Sequence, residues 1–175
     1  MASIPEILKS SKTIAVVGIS NNPMRPSNGV SEYMKRAGYQ IIPVNPNETQ
    51  VLGQKCYARL EDIPEKIDIV DVFRRPEFVP EIVESAIAIG AKTVWLQEGV
   101  IHEAAAERAR AAGLNVVMDR CILKDHQAAA LRTADFNSRG ALAEPGNSGL
   151  APLAHASGSA AQERNRDSQG WCGKP

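Results

Sequence analysis

The sequence predicts an α/β protein built on a single Rossmann-like, doubly wound parallel sheet with helices on both faces. Two observations predict it. Short apolar, β-branched runs alternate regularly with helical segments. Three of those helical segments close on a glycine, Gly38, Gly90 and Gly113, and a strand follows each directly. Short joints between alternating helices and strands give parallel pairing, and right-handed crossovers then put helices on both faces.

The elements follow in order. "SIPE" has Ser3 three residues before Glu6, a capping-box pattern for a short first helix. "TIAVVGI", Thr13 to Ile19, is almost wholly apolar, as a strand buried on both faces reads. "SNGVSEYMKRAG" carries Val30, Met34 and Ala37 at helical spacing, with Ser27 as its cap. "YQIIPVNP" is the second strand and "DIVDVF" the third. "PEFVPEIVESAIAIG" is a helix with Pro76 near its start. "KTVWLQ", "HEAAAERARAAG", "LNVVMD" and "LKDHQAAALRTAD" then read strand, helix, strand, helix. The domain so defined covers residues 1–137. From Ser138 to Pro175 there is no Ile, Val, Phe or Tyr, and Gly, Ser and Pro exceed a third of the residues. Such a segment buries too little apolar surface to offset its ordering entropy, so a disordered tail is expected.

Bulk properties narrow the function. The chain has 175 residues, with 20 basic and 20 acidic side chains and no formal net charge. Nucleic-acid partners select a basic excess, so none is expected. There is no apolar run of membrane-spanning length and no signal-peptide pattern. Cys56, Cys121 and Cys172 are odd in number and widely spaced, which fits neither a disulfide framework nor a metal site. A reducing cytoplasm is the expected compartment.

In a doubly wound sheet, ligands sit beyond the carboxyl ends of the strands, where strand order reverses. The loop "GISNNPMRPS" after the first strand lies there. Gly18 permits a tight exit and close approach of a ligand to the backbone. Ser20 and Ser27 bring hydroxyls, Arg25 a cation, and Pro23 and Pro26 stiffen the loop. The start of the next helix favours an anion. This stretch alone reads either as a phosphate site or as an ordinary strand–helix joint. The remaining strand ends favour the first reading. They carry Asn45 and Pro46, then Phe73, Arg74 and Arg75, then Gln97, Glu98 and Gly99, then Arg120 and Cys121. Arg25, Lys55, Arg74, Arg75 and Arg120 are candidate counter-charges, and Phe73 is a flat surface for a base. An NAD(P)-dependent oxidoreductase or redox-sensing domain is the alternative. Against it stand the missing G-x-G-x-x-G and Asn45 where an acid usually meets the ribose. No carboxylate pair or nucleophile–base set is evident, so catalytic and metal-binding residues are not expected.

The segments "VVGIS", "RPSNGV", "YQIIPVNP", "VLGQKCYARLEDIP", "DIVDVFRRPEFVPEIVESAIAIGAKTVWLQEGV" and "VVMDRCI" occur in order over most of the predicted domain. With them the chain resembles the stand-alone CoA-binding domain proteins, a group similar to the CoA-binding part of the succinyl-CoA synthetase alpha subunit. The resemblance implies coenzyme A or an acyl-CoA as ligand and a carrier or sensor rather than an enzyme. It implies that Gly18 to Ser20 and Ser27, with Arg25 and Pro26 in the same loop, hold the pyrophosphate. It implies that Asn45 and Pro46 line the adenosine side, with Phe73 and Arg74 nearby, and that Gln97 to Gly99 and Cys121 border the cleft. The synthetase's phosphohistidine domain and nucleotide-grasping partner have no counterpart here.

Overall fold

The computed structural model describes residues 1–140, with side chains as far as Arg132. The expected tail lies, from residue 141 onward, outside the described residues.

The elements run α1 (Ile4–Ser10), β1 (Thr13–Val17), α2 (Pro26–Arg36), β2 (Gln40–Val44), β3 (Gln50–Val51), β4 (Gln54–Lys55), β5 (Ile69–Val72), α3 (Val79–Ala88), β6 (Thr93–Leu96), α4 (Glu103–Ala111), β7 (Asn115–Val117) and α5 (Ile122–Gly140). Single 3₁₀ turns lie at Leu60–Asp62 and Pro76–Phe78. Five strands form one sheet in the order β2-β1-β5-β6-β7, every pairing parallel. Strand order reverses between β1 and β5, and a crevice opens there at the carboxyl ends.

Each face of the sheet buries its own core. Ala15, Val17, Val70, Val72, Val94 and Leu96 face Val79, Val83 and Ala86 of α3 and Ala105 and Ala109 of α4. Ile14, Val16, Ile41, Ile69 and Trp95 face Ile7 and Leu8 of α1, Val30 and Met34 of α2, and Ile122 of α5. The strict alternation along β1 explains its unbroken apolar sequence: both faces are covered. Trp95 is fully buried, and its indole N–H donates to the Arg120 carbonyl at 2.7 Å.

Two expectations change. Ser27 does not cap α2. The cap lies two residues earlier, at Arg25, and the helix begins at Pro26, because a proline suits the first helical position. The sequence reading also assigns no element between Pro46 and Asp68. That stretch holds the β3–β4 hairpin, which turns at Leu52 and Gly53, both at positive φ. Two-residue strands leave no periodicity to read, and a left-handed leucine defies turn propensity. The Lys35 ammonium donates to the Leu52 carbonyl at 2.8 Å and fastens this turn to α2. At the amino end, Glu6 accepts from the Ser3 N–H, as the capping pattern predicts, and also from the Ser3 hydroxyl.

The sheet's amino-terminal edge is clasped by Asp68. One carboxylate oxygen accepts from the Lys12 N–H (2.7 Å) and the Thr13 N–H (3.1 Å), and the other meets the Lys92 ammonium at 2.6 Å. Partial burial pushes this carboxyl up, but the Lys92 bond and the two N–H donors outweigh it and hold it down at about 2. A depressed carboxyl stabilises the fold above its unfolded value near 4, and the contribution is lost as pH falls through about 2. Asp68→Ala should therefore lower stability by about 2 kcal/mol at neutral pH. In urea titrations the difference from the parent should shrink as pH approaches 2.

Candidate functional site

β1 and β5 lie side by side, so the residues leaving their carboxyl ends are forced together. Gly18 leaves β1 at φ +84°, and a Cβ there would lie 2.5 Å from the Phe73 carbonyl oxygen and 2.6 Å from Arg74 Cδ. Only glycine lets the two strand exits close on each other.

From Gly18 the chain loops to Pro26, and this loop is cross-braced. The Ser20 N–H donates to Ser27 Oγ at 3.2 Å, and Asn28 Nδ2 donates to the Ser20 carbonyl at 2.9 Å. Asn45 Nδ2 donates to the Ile19 carbonyl at 2.7 Å, while its Oδ1 accepts from the Asn47 N–H. Farther out, the Asn22 N–H donates to Ser20 Oγ and the Met24 N–H to Asn22 Oδ1. The hydroxyl of Ser27, read from sequence as a cap, thus holds the loop closed.

Between this loop and the β5 exit lies a cavity of about 600 Å³. It is lined by Gly18, Ser20, Arg25, Pro26, Ser27, Asn45, Phe73, Arg74, Arg75 and Phe78. Three of these ten residues are arginines and none is an acid. Arg75 reaches Glu77 at 3.6 Å across exposed surface, a weak restraint. Arg74 has no ion pair among the described residues; its guanidinium stacks on the Phe78 ring, 4.9 Å from the centroid. A second hollow of about 370 Å³ shares Gly18, Arg74 and Phe78 and adds Pro46 with the apolar Val17, Val44, Leu60 and Ile82. A third, of about 380 Å³, shares Phe73, Arg74 and Arg75 and adds Gln97, Glu98 and Gly99. Arg74 lines all three.

Nine of the sequence-predicted residues therefore meet in one cavity: Gly18, Ser20, Arg25, Pro26, Ser27, Asn45, Phe73, Arg74 and the counter-charge candidate Arg75. Pro46, Gln97 and Gly99 line the adjoining hollows. Cys121 lines none of the three; it is partly buried and packs against the core beneath α1, α2 and α5. Lys55 stacks on Tyr57 and Arg120 pairs with Asp125, both away from the cavity. Phe78 and Asn28 are absent from the sequence reading. Local spacing gives no signal for Phe78, because Arg74 precedes the 3₁₀ turn Pro76–Phe78 and meets the ring only through the bend of the chain. His102 caps α4, its Nδ1 accepting from the Ala105 N–H, and His126 Nδ1 meets the Tyr33 hydroxyl at 3.0 Å. His155 lies outside the described residues.

A parallel sheet with an arginine-lined crevice at its reversal point defines an α/β protein of the nucleotide-binding architecture. Comparison with known proteins makes this specific. Residues 12–127 match the family described as the CoA binding domain, and the chain belongs to that family. It is 46% identical over 125 residues to the uncharacterized protein YneT of Bacillus subtilis, covering 71% of this chain and 93% of that protein. It is similar in structure to a hypothetical protein from Pyrococcus horikoshii, with a TM-score of 0.71 and 44% identity over 73% of this chain and 89% of that one. It is also 32% identical over 83 residues to an ADP-forming acetate–CoA ligase of Archaeoglobus fulgidus. That match spans 46% of this chain and 12% of the ligase.

Gly18→Ala should strain the backbone and force β5 away. The expected loss is roughly 1–3 kcal/mol from the left-handed conformation alone. A urea midpoint unchanged from the parent would contradict the close approach. Ser27→Ala should cost about 1 kcal/mol by unpairing the Ser20 N–H, read in the same titration.

Proposed function

We propose that this protein is a binding module for coenzyme A or an acyl-CoA, which it holds without transforming. The observation that carries the reading is the cavity at the β1–β5 crevice, with three arginines and no acid among its lining residues. Family membership and the partial match to acetate–CoA ligases support the same ligand.

Coenzyme A carries a pyrophosphate and a ribose phosphate, and the pyrophosphate fits the loop beside Gly18 and Ser27. Arg25 and Arg74 are the counter-charges. A phosphate offers Arg74 a stronger partner than the Phe78 ring does, so binding draws the guanidinium off the ring. The hollow beside Pro46, whose apolar wall of Val17, Val44, Leu60 and Ile82 is rimmed by Arg59, Glu61 and Glu81, is the side for the adenosine. Gln97 and Gly99 border the path of the pantetheine arm. The loop's cross-bracing lowers the ordering cost of binding. The use of His102 as a helix cap and of His126 as a tyrosine partner is in keeping with a holding role. A carrier or sensor within the cytoplasm is the role that this implies. The domain as proposed ends near the end of α5, and the residues after it are dispensable for the ligand.

Thermal-shift titrations against coenzyme A, NAD and NADP test the reading. Coenzyme A at 100 times its Kd should stabilise the fold by about 2.7 kcal/mol. Equal or greater stabilisation by NAD would overturn the assignment. By calorimetry, Arg74→Ala should weaken coenzyme A roughly tenfold or more and flatten the salt dependence, as loss of a charged hydrogen bond does. Dephospho-coenzyme A should retain the effect of Arg74→Ala if the residue meets the pyrophosphate.

A further inference from the structure

The middle strand β5 carries one acid in an otherwise apolar run. Asp71 is 1% exposed, between Val16 of β1 and Trp95 of β6 in register. It has no ion pair among the described residues. Its carboxyl accepts from Gln97 Nε2 at 2.8 Å and from the Val72 N–H. Gln97 is 5% exposed, yet it lines the hollow that also holds Phe73, Arg74 and Arg75. No buried side-chain oxygen or nitrogen among the described residues lacks a partner, and Gln97 Oε1 has none, so this oxygen is the atom that reaches the hollow.

A carboxylate only accepts, so Gln97 must turn its NH₂ inward and its oxygen outward. A protonated Asp71 has an O–H to place. The Val72 N–H is a donor and cannot take it. Gln97 Oε1 is the acceptor within reach, and a buried O–H must find one. Taking it requires the amide to rotate, which turns the NH₂ toward the hollow. We propose that Asp71 is a positioning residue that acts through Gln97, its protonation state selecting whether the cleft offers a ligand an acceptor or a donor there. Arg74 and Arg75 line the same hollow, and its one acid, Glu98, is already paired with Lys124, so a ligand group drawn into it is itself an acceptor, such as a carbonyl oxygen of the pantetheine arm or of a thioester. Such a group matches the donor face, and binding then takes up a proton. The ligand half of the inference rests on the coenzyme A reading.

The surroundings permit the switch near neutral pH. Burial pushes the Asp71 carboxyl up to about 7, against the two hydrogen bonds that favour its anion. On the same face, β1 and β6 present Val16 and Trp95. The titratable groups packed on that face are Tyr33 and His126 on α2 and α5, and Tyr39, Cys56 and Cys121 in the connecting segments. The Tyr33 hydroxyl and His126 bond each other, and the Tyr39 hydroxyl donates to the Leu8 carbonyl. The nearby cations Arg120 and Lys124 pair with Asp125 and Glu98, and on α2 Arg36 pairs with Glu32.

The test uses the full chain, labelled for NMR. In the free protein, the Gln97 side-chain amide resonances should titrate with the Asp71 carboxyl carbon, at a common midpoint near 7. In Asp71→Asn they should be flat across neutral pH. Gln97→Met removes a bond that favours the anion, so the Asp71 midpoint should rise; this variant decides the matter where Asp71→Asn does not fold. Amide resonances that stay flat in the parent, or titrate equally in Asp71→Asn, would overturn the proposal. Calorimetry with coenzyme A in two buffers of different ionisation enthalpy should show proton uptake in the parent and none in Gln97→Met. Absence of uptake by a parent that does bind would overturn the ligand linkage. A chain that does not bind coenzyme A but keeps the coupled titration would refute the coenzyme A reading and leave the Asp71–Gln97 switch standing.

Discussion

The approach of Gly18 to the Phe73 carbonyl is the contact on which the rest of the site depends. Because strand order reverses at β1 and β5, the chain after β1 goes to one face and the chain after β5 to the other. The two exits must diverge from nearly the same point. With a glycine at that point, Arg74 lies directly over the β1 exit, and the cavity opens between the diverging segments. A side chain at position 18 would separate the exits and displace the one guanidinium that lines all three hollows.

The polar residues of the first loop divide into two groups by what they already do. Asn28, Asn45 and the Ser27 hydroxyl are committed to backbone groups of Ile19 and Ser20. They shape the loop. Arg74 has only a ring for company, and Arg25 makes no ion pair among the described residues; they supply the charge. A site in which the scaffold is satisfied and the cations are not is preorganised for an anion: little rearrangement is needed, and few existing bonds are given up.

The sheet was legible in the sequence because buried parallel strands leave a plain signal. Ile14 to Val17 is a continuous apolar run, Ile69 to Val72 is broken only by Asp71, and Gly38, Gly90 and Gly113 mark the helix ends that precede strands. Cavity residues at strand ends were legible for the same reason: topology alone puts them at one edge. What was hidden depends on tertiary contact. Ser27 reads as a cap because local rules favour serine there, but Pro26 starts the helix and frees the hydroxyl for Ser20. The Leu52–Gly53 turn is held by Lys35 from another element. The sequence reading gives Asp71 no role, because its burial comes from the helices that cover this face of the sheet. Cys121 follows the last strand as expected, but its side chain turns into the core beneath the sheet rather than toward the hollows.

The placement of Pro43 on β2 bears on how the molecule avoids its own kind. β2 is an outer strand, and in a strand the N–H and C=O of one residue point the same way. The Pro43 carbonyl accepts from the Tyr57 N–H, so the donor that proline lacks is missing from the outer edge, and the ladder with β1 loses nothing. Tyr57 and the Asn45 N–H close the same edge, forming a bridge beside Val44. The carboxyl-terminal part of this edge is thereby denied to an incoming strand. Such a border blunts the edge-to-edge aggregation to which a sheet of this apolarity is otherwise prone.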